Sequence, residues 1–389
     1  MNAGAPSFVS WTENEAAHTA HWRSERGASP PARIIVADDT IPADAAYDLA
    51  CQGTGMLWRG DFQNARQILV ALANRADRPP RKRRIKAAAQ APATLADAFH
   101  RHRLARSQRA RTLGMLLIEL DADYVVDLRR SPDLRDACLE AWGPPAGGGT
   151  TVASLRELLG LIGAHEWRTK GIEIPAVGGR IHPHYGVFTP IRSEYIDLVA
   201  KEPLPAAVAA NSTAFDIGTG TGVLSAVLAR RGVKHIVATD MDPRALACAR
   251  QNLKTLSLSR HVDVVQADLF PEGRAALVVC NPPWVPARPS SPIEHGIFDH
   301  EGRMLRGFLD GLVAHLAPGG EGWLILSDLA EHLGLRSRES LLAAFETALL
   351  RVVDRRDARP KHPKAKDETD PLHAARAAEV TSLWRLAAR

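Results

Sequence analysis

The amino-acid sequence predicts an α/β fold with an open, mostly parallel sheet in the C-terminal half of the chain. Apolar segments of strand length alternate there with segments of helical periodicity, as βαβ units require. Four of the predicted strands end in a polar residue, and a glycine-rich turn joins the first of them to a helix. Because the carboxyl ends of parallel strands meet at one edge of a sheet, we expect a ligand site at that edge.

The first predicted strand leads into residues 215–222, FDIGTGTG, and a helical pattern follows from residue 223 to 231. Glycine is needed where the backbone takes a positive φ or passes so close to a ligand that a Cβ would collide with it. A nicotinamide-dinucleotide fingerprint would need its third glycine at position 223, which is Val223, so the spacing is G-x-G-x-G instead. Asp216, at the end of the strand, can accept a hydrogen bond from a cationic or hydroxyl-bearing ligand. A purely structural turn is the alternative.

The next three strands also end in polar residues, namely 235–240 in Asp240, 262–267 before Asp268, and 276–280 before Asn281. A carboxylate at the end of the second strand can accept hydrogen bonds from both hydroxyls of a ribose. An ordinary strand-end cap is the alternative interpretation of Asp268. The strand ends therefore predict a pocket for a nucleotide-like cofactor.

Residues 281–284, Asn-Pro-Pro-Trp, are suited to holding a planar nitrogen. An amide or exocyclic base nitrogen is a poor nucleophile, because its lone pair is delocalised and must be turned out of the plane before it can attack. The side-chain carbonyl of Asn281 and the backbone carbonyl of Pro282 can accept its two N–H groups and stabilise the developing positive charge. Pro282 and Pro283 stiffen the loop by fixing φ, and Trp284 offers a flat face for stacking. These four residues are the predicted catalytic residues, and a simple turn is the alternative.

The glycine turn, the acidic strand ends and the Asn-Pro-Pro-Trp motif resemble those of class I S-adenosylmethionine-dependent methyltransferases. Further predicted strands at residues 322–327, 351–353 and 380–386 complete the order of that family's Rossmann-like, seven-stranded sheet, whose last strand is antiparallel. The resemblance implies that Asp240 holds the ribose, that Asp268 holds the adenine amino group, and that the glycines line the methionine part. The residues expected to bind S-adenosylmethionine are Asp216, Gly218, Thr219, Gly220, Gly222, Asp240, Asp268 and Asn281.

A narrower resemblance covers roughly residues 181 to 389. Residues 186–194, GVFTPIRSE, look like the lead-in segment of the HemK-type glutamine methyltransferases, which modify peptide-chain release factors and a ribosomal protein. Residues 298–302 and the helix after them are also similar to that family. The family usually has tyrosine at the position of Trp284, and it has a Gly-Gly-x-Asp-Gly run that this chain lacks. The resemblance implies methyl transfer to a glutamine side chain of a translation-related protein.

Other functions remain open on the sequence. The same motif serves ribosomal RNA guanine methyltransferases and adenine methyltransferases of DNA and RNA, so an exocyclic amino group of a base is an alternative acceptor. A small-molecule acceptor is also open. An inactive, methyltransferase-like binding module is a further alternative, although the intact Asn281 and the intact glycine turn speak against it.

Residues 1–150 are expected to form a separate substrate-recognition domain, α/β or mainly helical, joined by a linker and helix at 151–180 to a catalytic domain at 181–389. Residues 78–111 carry eleven Lys or Arg and one Asp, a net charge of +10, whereas the whole chain is at +5. A basic concentration of this kind is typical of surfaces that bind phosphate backbones, so we expect contact with ribosomal RNA or another nucleic acid. A solvated surface helix with a flexible linker is the alternative.

Composition sets outer limits on these expectations. No apolar run is long enough to span a membrane, and the four cysteines are scattered without a C-x-x-C pair. We therefore expect a cytoplasmic protein with no membrane partner. No metal is expected, because methyl transfer needs none and no metal-ligand spacing is found among His182, His184, His295, Asp299 and His300.

Overall fold

The computed structural model describes residues 7–77, 94–145, 148–360 and 367–389. The described residues divide into two compact units, the first within residues 1–93 and 100–166 and the second within residues 94–99 and 167–389. Within the basic segment 78–111, residues 78–93 lie outside the described residues, whereas Leu95–Leu113 is a helix. Among the helices of the described ranges, none is long and apolar enough to cross a membrane.

The described part of the first unit contains a six-stranded mixed sheet in the order β1-β2-β6-β5-β4-β3. Its strands are β1 Phe8–Glu13, β2 Ala16–Arg23, β3 Arg33–Ala37, β4 Thr54–Trp58, β5 Leu116–Leu120 and β6 Thr151–Ser154. The helices that lie wholly or mostly in this unit are α1 Ala43–Cys51, α2 Phe62–Asp77, α3 Leu95–Leu113, α4 Arg135–Trp142 and α5 Leu155–Lys170. Of the two folds that were expected here, the unit is therefore α/β.

Strand β4, second from one edge of this sheet, is covered by apolar residues on both faces. β4 is parallel to β3 and β5 and is buried along its whole length, as is typical of strands covered on both faces. Helix α2 directs one apolar stripe inward, with Phe62, Ala65, Leu69 and Leu72 at helical spacing.

The boundary between the units differs from the one expected at residue 150. Strand β6 begins at Thr151 and pairs with β2 and β5 inside the first sheet, and residues 155–166 of α5 belong to the same unit. The expected linker at 151–180 therefore begins with a sheet strand. Four residues carry too little periodicity to identify a strand whose partners are distant in the sequence.

The described part of the second unit contains a seven-stranded sheet in the order β11-β10-β9-β12-β13-β15-β14, beside a small hairpin of β7 and β8. Its strands are β7 Ile172–Ile174, β8 Gly179–Ile181, β9 Thr213–Ile217, β10 His235–Asp240, β11 Val262–Gln266, β12 Ala275–Cys280, β13 Leu316–Ser327, β14 Leu350–Ala358 and β15 Thr381–Ala388. Its helices are α6 Glu194–Lys201, α7 Ala207–Ala210, α8 Val223–Arg230, α9 Pro243–Thr255, α10 Arg303–His315, α11 Leu329–His332, α12 Arg338–Thr347 and α13 His373–Ala378.

Strand direction in the second sheet follows the expected pattern. β9, β10, β11, β12 and β13 run parallel to one another, whereas β15 is antiparallel to both β13 and β14. The prediction of a Rossmann-like, seven-stranded sheet whose last strand is antiparallel is confirmed. The first unit has a different strand order and is not a copy of the second.

The core of the second unit lies on both faces of its sheet. One apolar cluster covers one side of β9 and β12 with Val227 and Leu228, and a second covers the other with Phe308 and Leu312. β12 is buried at every residue. This packing leaves the carboxyl ends of β9, β10 and β12 at one edge, where the chain continues into the predicted site residues.

Candidate functional site

A cavity of about 230 Å³ opens at the carboxyl edge of β9, β10 and β12. Its walls come from residues 186–188 of the lead-in, the start of α6, the turn after β9 with the start of α8, the end of β10 with the start of α9, the residues after β11, the loop after β12, and the start of α10. Of the predicted site residues, those that line it are Gly218, Thr219, Gly220, Asp240, Asn281 and Pro283. The fold thus brings part of the glycine turn, one acid and the Asn-Pro-Pro loop to a single cavity.

The glycine turn needs its glycines. Gly218, Gly220 and Gly222 all have positive φ, at 73°, 55° and 79°. A Cβ on Gly218 would lie 2.4 Å from Cε of Met304, and a Cβ on Gly222 would lie 3.2 Å from Cα of Ala249. Gly218 therefore allows Met304 to approach the turn at the cavity, whereas Gly222, outside the lining, allows close packing between α8 and α9.

Asp216 lies beneath the turn and is buried. Its Oδ2 accepts hydrogen bonds from Oγ1 of Thr219 at 2.7 Å and from the backbone N and Oγ of Ser225 at 3.0 and 2.6 Å. Burial raises the pKa of this carboxyl group. Asp216 is not among the lining residues, and its visible contacts shape the turn from below.

Asp240 reaches the cavity from the end of β10. Its Oδ2 accepts from the backbone N of Gly220 at 3.0 Å, and its Oδ1 accepts from the backbone N of Asp242 at 2.9 Å. Burial raises its pKa. Since each carboxylate oxygen has more than one lone pair, Asp240 keeps acceptor capacity for a ligand.

Asp268 does not line the cavity. Its carboxylate is more than half exposed and pairs with Nη2 of Arg303 at 2.6 Å. Arg303, by contrast, is a lining residue, and its Nη1 lies 3.6 Å from Sδ of Met241. The predicted adenine contact therefore lies just beyond the cavity wall, behind an arginine that the sequence did not single out.

The Asn-Pro-Pro-Trp loop divides its residues between the cavity and the protein interior. Asn281 and Pro283 line the cavity, whereas Pro282 is buried and Trp284 lies outside the lining. Nε1 of Trp284 donates a hydrogen bond to Oδ1 of Asn281 at 2.9 Å. Because an indole N–H can only donate, this bond identifies the carbonyl side of the Asn281 amide.

Several lining residues were not assigned a role from the sequence. Phe188 and the buried Tyr195 come from the lead-in and α6, His295 precedes residue 298, and Arg303 and Met304 begin α10. Burial raises the pKa of Tyr195 far above its ordinary value. The sequence indicates that the lead-in and residues 298–302 belong near the site, but only the tertiary fold shows which side chains in and around these segments face the cavity.

Two of the histidines considered as metal ligands, His182 and His184, are engaged in other contacts. Nδ1 of His182 lies 2.6 Å from the carbonyl oxygen of Arg168, and Nε2 of His184 lies 2.7 Å from Oε1 of Gln251. Over the ranges that the structure describes, no three His, Cys, Asp or Glu side chains form a group that could hold a metal ion.

The fold and this site resemble those of class I methyltransferases. Residues 180–348 match the family model of the methyltransferase small domain. Among curated relatives, a ribosomal protein L11 methyltransferase from Clostridium perfringens strain SM101 is 38% identical over 76 residues, 19% of this chain and 24% of its own length.

Two longer matches carry names that refer to glutamine. A release factor glutamine methyltransferase from Cereibacter sphaeroides is 29% identical over 170 residues, 40% of this chain and 59% of its own length. A Methanocaldococcus jannaschii protein, provisionally named a protein N5-glutamine methyltransferase, is 29% identical over 166 residues, 41% of this chain and 80% of its own length. The chain thus spans about a quarter of the L11 relative and under two thirds of the release factor relative.

Proposed function

We propose that this protein is an S-adenosylmethionine-dependent N-methyltransferase whose acceptor is the side-chain amide of a glutamine in a translation-related protein. The observation that carries the proposal is the amide of Asn281 at the cavity, with its carbonyl oriented by the indole of Trp284. The names of the glutamine methyltransferase relatives support this acceptor. Such an acceptor would be met in the cytoplasm, where translation proceeds.

The lining residues fit S-adenosylmethionine in charge and polarity. Asp240 offers carboxylate oxygens to the ribose hydroxyls, and the backbone N–H groups of Gly220 and Asp242 hold those oxygens in place. Met241, Ala267 and Leu269 supply apolar surface suited to adenine. At Gly218 and Gly220 the cavity wall consists of backbone without side chains, and the methionine part of the cofactor would lie there, near Met304. Asp216 would act on the cofactor only through the shape of the turn.

When bound, S-adenosylmethionine would supply a methyl group on a sulfonium: a nitrogen nucleophile would form a bond to the methyl carbon while the carbon–sulfur bond breaks and S-adenosylhomocysteine leaves as a neutral thioether. Asn281 would accept one N–H of the acceptor amide through Oδ1, and the carbonyl of Pro282 would accept the other. The two acceptors would turn the nitrogen lone pair toward the methyl group and stabilise positive charge on the nitrogen. The methylated nitrogen then loses a proton readily, so no general base is assigned.

The test is transfer of radiolabelled methyl from S-adenosylmethionine into an extract of a strain that lacks the protein, followed by protease or nuclease treatment. We expect label that protease removes, and Asn281→Ala should lower the rate by about 10²–10³, as loss of one oxyanion-hole donor does. S-adenosylmethionine affinity, measured by calorimetry, should change little. A full-rate Asn281→Ala enzyme would contradict the proposed role of Asn281.

A nucleic-acid base is the second candidate acceptor, and one observation favours it. The described helix α3 carries Arg101, Arg103, Arg106, Arg109 and Arg111 against a single Asp. Phe99 on the same helix is buried with Val285 and Leu333, so it offers no stacking face. Label that nuclease removes, and protease does not, would establish a base as the acceptor.

A further inference from the structure

The side chain of Trp284 is engaged on several sides by this chain's own residues. Its N–H is donated to Oδ1 of Asn281, and the guanidinium of Arg192 lies 4.7 Å from its ring centroid. The ring also packs against the apolar clusters on both faces of the sheet and against the cluster around Val285. The side chain is accordingly half-buried, and it does not line the cavity.

Arg192 is fixed on the ring by two buried acids. Its Nε donates to Oε1 of Glu194 at 2.6 Å, and its Nη1 donates to Oε1 of Glu379 at 2.9 Å. Both carboxylates are almost fully buried. Since pairs shielded from water hold their geometry far better than exposed pairs, the guanidinium stays over the indole.

The second acid is itself anchored to the sheet. Oε1 of Glu379 also accepts a hydrogen bond from Oγ of Ser327 at the end of β13. The chain of contacts therefore runs from the sheet through Glu379 and Arg192 to Trp284, and from Trp284 to the amide that faces the cavity.

We propose that Trp284 is a positioning residue that sets the Asn281 carbonyl, and that its ring is not a stacking platform for the acceptor. This inference rests on the proposed function. The stacked guanidinium of Arg192 and the indole hydrogen bond fix the orientation of the Trp284 ring. The fixed indole N–H in turn fixes the direction of the Asn281 side-chain carbonyl. The site then holds its acceptor by hydrogen bonds to a planar nitrogen, as suits an aliphatic amide without an aromatic ring to stack.

The decisive variant is Trp284→Phe, which keeps an aromatic ring but removes the N–H. We expect kcat for methyl transfer into the extract to fall about tenfold, as loss of one oriented hydrogen bond predicts, with S-adenosylmethionine affinity unchanged. In the Asn281→Ala background, Trp284→Phe should cause no further loss of kcat, because the acceptor of the indole hydrogen bond is already absent. A stacking platform predicts instead that Trp284→Phe keeps nearly full rate, and that result would overturn the proposal.

A second readout does not depend on activity. In protein labelled with 15N at tryptophan, the indole N–H resonance that disappears in Trp284→Phe identifies Trp284, and Asn281→Ala should shift that resonance. An unmoved resonance would overturn the inference even if methyl transfer is found. The converse result, a shifted resonance without any methyl transfer, would overturn the proposed function and leave the Trp284–Asn281 bond established.

Trp323→Phe is the matched control. Nε1 of Trp323 donates to Oε2 of Glu321 at 3.1 Å within the same unit, without contact to Asn281 through that bond. This variant also removes an indole N–H that has a partner, so it measures the general effect of such a loss on folding. We expect its stability to fall and its kcat per folded molecule to stay at the wild-type value.

Discussion

At the scale of single residues, two acids at neighbouring strand ends have different surroundings. Asp216 lies one residue before the end of β9 and Asp240 is the last residue of β10, and burial raises the pKa of both. Thr219 and Ser225 donate hydrogen bonds to Asp216, whereas Asp240 accepts from backbone N–H groups, including those of Gly220 and Asp242, and opens on the cavity. The sequence could locate both acids, but it could not distinguish them, because Ser225 lies on the following helix.

The raised pKa of Asp240 predicts how cofactor affinity depends on pH. The ionised carboxylate accepts the ribose hydroxyls, and protonation removes that acceptor. Because the pKa lies above the ordinary aspartate value, affinity should begin to decline at a higher pH on acidification than it would for an ordinary aspartate. Calorimetry with S-adenosylmethionine over a pH series measures this decline.

Asp240→Asn tests whether this carboxylate is the titrating group. The variant should bind S-adenosylmethionine about tenfold more weakly at neutral pH, since it loses a charged acceptor, and the decline on acidification should largely disappear. Asp263→Asn, on exposed β11 and paired with His235, is the control and should keep both affinity and pH profile. An unchanged pH profile in Asp240→Asn would assign the titration elsewhere.

At the scale of elements, the turn between β9 and α8 combines backbone strain and close packing. Gly220 has a positive φ with open space where a Cβ would lie, whereas Gly222 has a positive φ and the backbone of Ala249 at 3.2 Å. Gly220→Ala should therefore lower the free energy of unfolding by only about 1–2 kcal/mol, the cost of placing an alanine in the left-handed conformation. Gly222→Ala should cost more, because the helices must also separate.

Chemical denaturation of the two variants compares these costs directly. The same residue change in the same turn makes Gly220→Ala the natural reference for Gly222→Ala. Equal losses of stability would mean that α9 moves away from α8 without cost. In that case the role of Gly222 would be limited to its backbone angle.

The fold of the second unit was predictable because its signals are local. Each strand of the parallel core is a short apolar run with a polar end, and the helices between them keep their period. The contacts that hold the Trp284 side chain were not predictable, since Arg192 and Glu379 come from opposite ends of the unit's sequence. Phe188, Tyr195 and Met304 likewise reach the cavity through tertiary packing alone.

At the scale of the whole molecule, the first unit is the candidate for recognising a macromolecule. We propose that it guides the protein to its acceptor. Four arginines of this unit lie close enough to act on one another: burial, and then the charges of Arg26, Arg109 and Arg106, lower the pKa of Arg156 to about 10. Arg109 of this group pairs with Asp77, and the concentration of positive charge around Arg156 favours the binding of further anions such as phosphate.

The charge of this arginine group predicts salt-dependent RNA binding. Arg106→Glu combined with Arg156→Glu should weaken binding of ribosomal RNA and should reduce the slope of log K against log salt by about 2, roughly one for each phosphate that the variant no longer neutralises. Filter binding over a salt series measures the slope. Arg66→Glu, on helix α2 and outside the group of four, makes the same kind of charge change and should leave the slope nearly unaltered. If the double variant and the control lose affinity equally, the arginine group is a solvated surface, and recognition of the acceptor must lie in the contacts around Asn281.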